Sequence, residues 1–154
     1  MKNVSFTTRA KEDITFNTIS YSLPRRKATL AALIKHAGHL IIREKKEVLK
    51  LSTQNAKVAK YIYQLFKDIF NFEPTFSYVT KRKFGKKMKF NVIVEQKVDE
   101  IIETLAVDFY DSAVSRKIVY SDDTLGGYFT GAFLGSGSMT SPLSSNYHLE
   151  IVVR

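Results

Sequence analysis

The sequence predicts an α+β fold built on antiparallel sheets, with the order α-β-β-α-β-β-α over residues 24–107 and a further α-β-β run behind it. Three observations predict it. Apolar residues recur at helical spacing in segments that stop on glycine. Between them lie pairs of short segments with period-two alternation, joined by charged or glycine-containing turns. Finally, one nine-residue helix end recurs 99 positions further along.

A short helix over Thr8–Ile14 opens the chain, with Thr7 or Thr8 as its N-cap. Pro24 suits the first turn of the next helix. Ala28, Leu30, Ala31, Leu33, Ile34 and Ala37 form that helix's apolar face, and Gly38 stops it. His39–Arg43 and Glu47–Thr53 read as strands about the charged turn Glu44-Lys45-Lys46. Asn55–Phe70 is strongly amphipathic, with Val58, Ala59, Ile62, Tyr63, Leu65, Phe66 and Ile69 inward and Pro74 beyond its end. Phe76–Lys83 and Lys86–Val94 form a hairpin about Phe84-Gly85, on which Phe76, Tyr78, Phe90, Val92 and Val94 share a face. Val98–Val107 is a further helix. After an irregular stretch, a helix from about Asp122 to Leu134 leads to strands near Ser138–Thr140 and Tyr147–Val153.

Composition narrows the chemistry. A chain of 154 residues with 44% hydrophobic and 25% charged residues can bury a real core. There are 24 Lys and Arg against 15 Asp and Glu, a net charge of +9. That balance favours a polyanion, but does not by itself choose between nucleic acid and an anionic membrane surface. The absence of cysteine excludes disulfides, cysteine-ligated zinc, Fe–S clusters and thiol nucleophiles. No apolar run follows Lys2 and none approaches the length of a membrane helix, so a chain without signal peptide or membrane span is expected, in the cytoplasm.

The recurring segments are Leu30-Ala31-Ala32-Leu33-Ile34-Lys35-His36-Ala37-Gly38 and Phe129-Thr130-Gly131-Ala132-Phe133-Leu134-Gly135-Ser136-Gly137. Small residues, Ala31, Ala32 and Ala37 in one and Gly131, Ala132 and Gly135 in the other, would let two such helices approach closely. Both segments resemble the helix of LAGLIDADG homing endonucleases. Ser5-Phe6-Thr7, Arg26, Ala28, Leu30–Leu33 and Ala37-Gly38, then Tyr128–Leu134, Gly137-Ser138 and Tyr147–Ile151, are similar to the WhiA family of bacterial regulators. The resemblance implies a LAGLIDADG-like αββαββα unit and an incomplete second αββ repeat. It divides the chain into an N-terminal extension (1–23), a first repeat (24–120) and the start of a second (121–154). Cysteines common before the first motif of that family are replaced around Ser22–Arg26. The remainder of the second repeat and the family's helix-turn-helix domain are not in these 154 residues.

A LAGLIDADG nuclease carries an acid just before each terminal glycine, and the two carboxylates hold cations that activate water. The matching positions here are Ala37, before Gly38, and Ser136, before Gly137, and neither supplies a carboxylate. No catalytic residue, metal or cofactor is therefore expected. His36, His39 and His148 lack acidic or cysteine partners at ligand spacing; His36 reads as solvated and His39 as a strand-edge residue. Asp122-Asp123 reads as a helix cap. Gly135–Ser138 follows a helix rather than opening one, the wrong end for an anion.

The densest basic run is Lys81, Arg82, Lys83, Lys86, Lys87 and Lys89 at the hairpin tip, and alternation puts Lys81, Lys83, Lys87 and Lys89 on the face opposite the aromatic residues. Such a ribbon can lie along duplex DNA with its lysines on phosphates, and the resemblance implies that use of the sheet. Arg25, Arg26 and Lys27 open a helix where positive charge is unfavourable, which suggests a second DNA contact. Arg43, Lys45, Lys46 and Lys50 alternate with Glu44 and Glu47 and read as a solvated turn. The expectation is a non-catalytic DNA-binding transcription regulator, or its scaffold domain. The resemblance implies roles in cell division, chromosome segregation or sporulation, at the nucleoid. The alternatives are a scaffold that binds another regulatory protein, or a degenerate endonuclease. Either a monomer with pseudo-twofold symmetry or a homodimer fits.

Overall fold

A computed structural model of the chain describes residues 6–16, 21–81, 87–139 and 149–151. Its elements follow the expected order: α1 (Phe6–Phe16), α2 (Leu23–Ala37), β1 (Gly38–Arg43), β2 (Lys46–Thr53), α3 (Ala56–Phe70), β3 (Thr75–Lys81), β4 (Lys87–Val94), α4 (Val98–Thr104), α5 (Asp122–Ser136), β5 (Gly137–Met139) and β6 (Leu149–Ile151). The fold is α+β. β1, β2, β4 and β3 form one antiparallel sheet in that order, and β5 pairs with β6.

Local chemistry explains most boundaries. Asn55 caps α3 by accepting hydrogen bonds from the amides of Lys57 and Val58, and Asn71 ends it in the left-handed conformation. Glu44 and Lys45 both have positive φ, so β1 and β2 are joined by a two-residue turn rather than the expected three. α4 ends at Thr104, three residues early, where Ala106 takes a φ of 51° and Val107 donates to the Ile102 carbonyl. α1 is longer than expected, and α5 runs two residues further, to Ser136.

The core lies between the sheet and the helices. Val58, Ala59, Ile62, Leu65 and Phe66 of α3 pack with Leu30, Leu33 and Ile34 of α2 onto Leu49, Leu51, Val92 and Val94. Val98 and Ile101 of α4 close one end. The aromatic face of the hairpin is as expected: Phe76 stands opposite Val92, and Tyr78 opposite Phe90. Because β3 is an edge strand, Phe76 and Tyr78 remain largely exposed.

α2 and α5 form the most extensive contact between elements outside the strand ladders. Each has 15 residues, each follows a serine N-cap (Ser22 and Ser121), and each passes directly into a strand at glycine, all 99 positions apart. The helices run parallel. A Cβ on Gly127 would lie 2.5 Å from the Arg25 carbonyl oxygen, one on Gly131 would fall on that of Thr29, and one on Gly135 would lie 2.9 Å from His36 Cβ. Thr29 stitches the seam, its hydroxyl donating to the Gly127 carbonyl at 2.9 Å. The seam thus differs from the expected one. Ala31 belongs to the core cluster, while Gly127 and Thr29 lie at the contact.

At the helix starts the cap of α5 is Ser121, in a capping box with Thr124, and not an aspartate. Asp123 instead crosses to α2. It accepts from Ser22 Oγ at 2.8 Å and from Arg25 Nη1 at 3.2 Å.

Two outcomes test this packing. Gly131→Ala forces the backbones apart and costs about 2–3 kcal/mol in urea unfolding. Gly126→Ala meets only the movable guanidinium of Arg25 at 3.1 Å and stays within about 1 kcal/mol of the parent. The hydrogen bond from Ser22, and then Arg25, hold the Asp123 carboxyl below the usual carboxylate range. Its stabilising contribution is therefore present above its unfolded pKa and lost as pH falls through the lower, folded value. Urea midpoints of Asp123→Asn should converge on those of the parent below about pH 4 and separate above it.

Candidate nucleic-acid interface

In antiparallel strands directly paired residues share a face, so the register sorts the sheet's charges. His39, Lys50, Ile93 and Thr75 form one row across the four strands. Ser52, Asn91 and Ser77 form the next, and Val79 with Lys89 another. Ile41 pairs with Val48, and Arg43 with Lys46. All these residues lie on the side opposite Leu49, Leu51, Val92 and Val94, which point at the helices. Arg43, Lys46, Lys50 and Lys89 therefore share the open face. Glu47, the one acidic residue in the four strands, alternates to the other side. Lys81 and Lys87 stand opposite one another in the backbone register, at positions of the same parity as Lys89.

This face has an internal order. Ser52 Oγ donates to Asn91 Oδ1 at 2.8 Å, and Asn91 is buried although no described helix packs on this side. Arg43 reaches Glu95 at 3.4 Å, so two strands that flank β2 are linked and Val48 between them is buried. Lys46, Lys50 and Lys89 form no ion pair among the described residues.

The expected basic residues fall into separate places. Lys89 lies on the open face, half-buried along its stem. Arg82, Lys83 and Lys86 lie outside the described residues. Arg25, Arg26 and Lys27 sit at the start of α2, about 20 Å along the helix from Gly38. Arg25 pairs with Asp123 and lies over the Tyr21 ring at 4.1 Å, and Arg26 pairs with Asp68 of α3 at 3.6 Å. Neighbouring carboxylates thus already answer the positive charge of these two arginines at a helix N-terminus. Conversely, Arg43, Lys46 and Lys50, read from sequence as a solvated turn, extend the basic side of the sheet. Strand register was the signal that could have found them.

The two motif ends meet. His36 Nδ1 lies 2.8 Å from Ser136 Oγ, which also donates to the Ala132 carbonyl at 3.3 Å. His36 is only 6% exposed, so it is not the solvated side chain expected; α5 covers it. Ala37 is buried, and Gly135 lies against it and His36. Gly38 and Gly137 begin their strands so close to the preceding turn that a Cβ would strike the carbonyls of Ile34 and Phe133. A methyl group and a hydrogen-bonded hydroxyl thus occupy the place of two carboxylates. Among the described residues no group of three His, Asp or Glu side chains is arranged to hold a cation. No described helix is long and apolar enough to cross a membrane.

Comparison with known proteins agrees with this geometry. Residues 24–108 match the model of the WhiA N-terminal LAGLIDADG-like domain, and residues 125–154 that of the WhiA LAGLIDADG-like domain. The chain is 33% identical to the probable cell division protein WhiA of Streptococcus sanguinis, over 97% of its own length and 49% of the relative's. It is 34% identical to that of Streptococcus mutans, over 96% and 48%. The chain thus spans about half the length of the curated relatives it matches. The crystal structure of the N-terminal LAGLIDADG domain of DUF199/WhiA superposes with a TM-score of 0.68 at 18% identity, over 99% of this chain and 68% of that one. Most of α2 and most of α5 fall within the matched segments, and the chain belongs to the WhiA family, as a LAGLIDADG-like domain.

Proposed function

We propose that this chain is a non-cutting, DNA-binding module of a transcription regulator, and that the open face of the four-stranded sheet contacts duplex DNA. One observation carries the reading: the described cations of the four-stranded sheet lie on a single face, and Glu47, the one acidic residue in its strands, lies on the other. Charge sorted in this way favours phosphate partners along β2 and β4, whose cations face away from Glu47. Ser52, Asn91 and Ser77 between the lysines offer uncharged hydrogen-bonding groups to the same partner.

The motif ends support the absence of cutting. Ala37 and Ser136 bring no negative charge to the helix junction, and the hydroxyl of Ser136 is engaged with His36. The relatives' designation as cell division proteins supports a role in division. Chromosome segregation and sporulation control at the nucleoid belong to the same proposal. A second reading, a scaffold for another regulatory protein, rests on exposed Ile42, Phe76 and Tyr78 at the two edges of the sheet.

Anisotropy titration against labelled duplex DNA, with single strands and RNA as competitors, separates the readings. The affinity should fall with salt at a log–log slope of about −3 to −5, as expected for four or five phosphate contacts. Lys50→Glu with Lys89→Glu should weaken binding at least about tenfold and flatten the slope by about two. Arg25→Gln and Arg26→Gln should stay within about threefold of the parent. Unchanged affinity in the double reversal would favour the scaffold. Supercoiled plasmid incubated with nuclease-free protein and magnesium should remain uncut; linear product would overturn the non-cutting reading.

A further inference from the structure

Behind the sheet, on its helix side, a groove of about 570 Å³ runs between α1 and α3. That lies within the range of small-molecule sites, about 300–1,000 Å³. One stripe of α3 lines it, with Lys57, Lys60, Tyr61, Gln64 and Asp68 at three- and four-residue steps over about 16 Å of helix. Leu65 is the buried floor, and Phe16 of α1 stands at the lip, 81% exposed. So exposed a phenylalanine beside a half-buried tyrosine is an apolar surface that no described residue covers.

The stripe is chemically graded. At its start two lysines and the positive end of the α3 dipole favour an anion. Glu12 holds Lys57 at 3.4 Å, whereas Lys60 has no carboxylate partner among the described residues. In the middle Tyr61 and Phe16 offer aromatic surface to a planar ring. At the far end Gln64 donates to Asp68 Oδ1 at 2.8 Å, and Asp68 Oδ2 lies 3.6 Å from Arg26 Nη1. A carboxylate, an amide and a guanidinium can together read a ring edge that carries both donors and acceptors.

Cations, rings and a hydrogen-bonding edge follow one another along α3 in the order of phosphate, base ring and base edge. We propose that this groove binds a nucleoside phosphate, with its phosphates on Lys60 and Lys57, its base against Tyr61 and Phe16, and its base edge on Gln64, Asp68 and Arg26. The ligand would bridge α1, α2 and α3. None of these residues lies on the open sheet face, so the proposal is independent of DNA binding.

Calorimetric titration of the whole chain with ATP and with GTP tests it, using adenosine, guanosine and pyrophosphate as separate probes. At least one nucleotide should bind saturably with a Kd below about 1 mM and raise the Tm. Its nucleoside and pyrophosphate should each bind at least about tenfold more weakly, because each lacks one end of the stripe. Lys60→Glu and, independently, Phe16→Ala should each lower nucleotide affinity about tenfold while leaving the ligand-free Tm unchanged, since both side chains are solvent-facing. The Lys50→Glu, Lys89→Glu protein should bind nucleotide as the parent does. No saturable binding of either nucleotide, pyrophosphate binding as tightly as the nucleotide, or full affinity in both groove variants would overturn the proposal.

Discussion

The contact on which the rest of the molecule depends is the approach of two helix backbones with almost no side chain between them. Gly127, Gly131 and Gly135 recur at four-residue intervals and turn one bare strip of α5 toward Arg25, Thr29, Ala32 and His36 of α2. A glycine in a helix interior costs about 1 kcal/mol against alanine, so three in one helix need compensation. Here it comes from close packing and from the Thr29 hydroxyl, which satisfies a carbonyl of the opposite helix. Parallel orientation follows from the matched order of contacts. It also sets both strand-opening glycines at the same end of the pair, so the four-stranded sheet and the β5–β6 pair begin from one place.

This arrangement separates charge by position. At the helix starts Asp123, Ser22 and Arg25 form a closed set across the seam, and Arg26 is drawn to α3 by Asp68. At the helix ends the junction is neutral: Ala37 is a buried methyl, and Ser136 is occupied by His36. On the open sheet face Lys46, Lys50 and Lys89 form no ion pair among the described residues. There the lysines stand on a pleated surface whose opposite side packs into the core along β2 and β4. α1 adds a brace between α3 and α5. It packs on α3, and through Lys11, 5.7 Å from the Phe133 ring centroid, on α5 as well. Burial lowers the Lys11 pKa, as expected for an ammonium group that gives up water for an aromatic face.

Legibility in the sequence followed the range of the interaction. The core faces of α2 and α3, the hairpin alternation and the glycine stops were readable because each depends on residues only a few positions apart. The 99-residue repeat was readable for the same reason twice over, and its serine caps at Ser22 and Ser121 strengthen it. The partners of Arg25 and Arg26 were not readable. A run of positive charge at a helix start looks unsatisfied until carboxylates nearly a hundred and some forty positions away come alongside. Local mixing of signs makes Lys46 and Lys50 read as part of a solvated turn. Only the pleat shows that Glu47 and its lysine neighbours point to opposite sides. His36 was read as solvated, since the helix that buries it lies 100 residues on.

By itself, then, the sequence determined the order of elements, the two matching helix ends and the absence of carboxylates at Ala37 and Ser136. These are properties of local pattern and of residue identity. Tertiary structure alone decided which small residues meet at the seam, which basic residues are neutralised and which face of the sheet collects the rest. Each of those depends on distances between groups far apart along the chain, and period and composition carry no record of such distances.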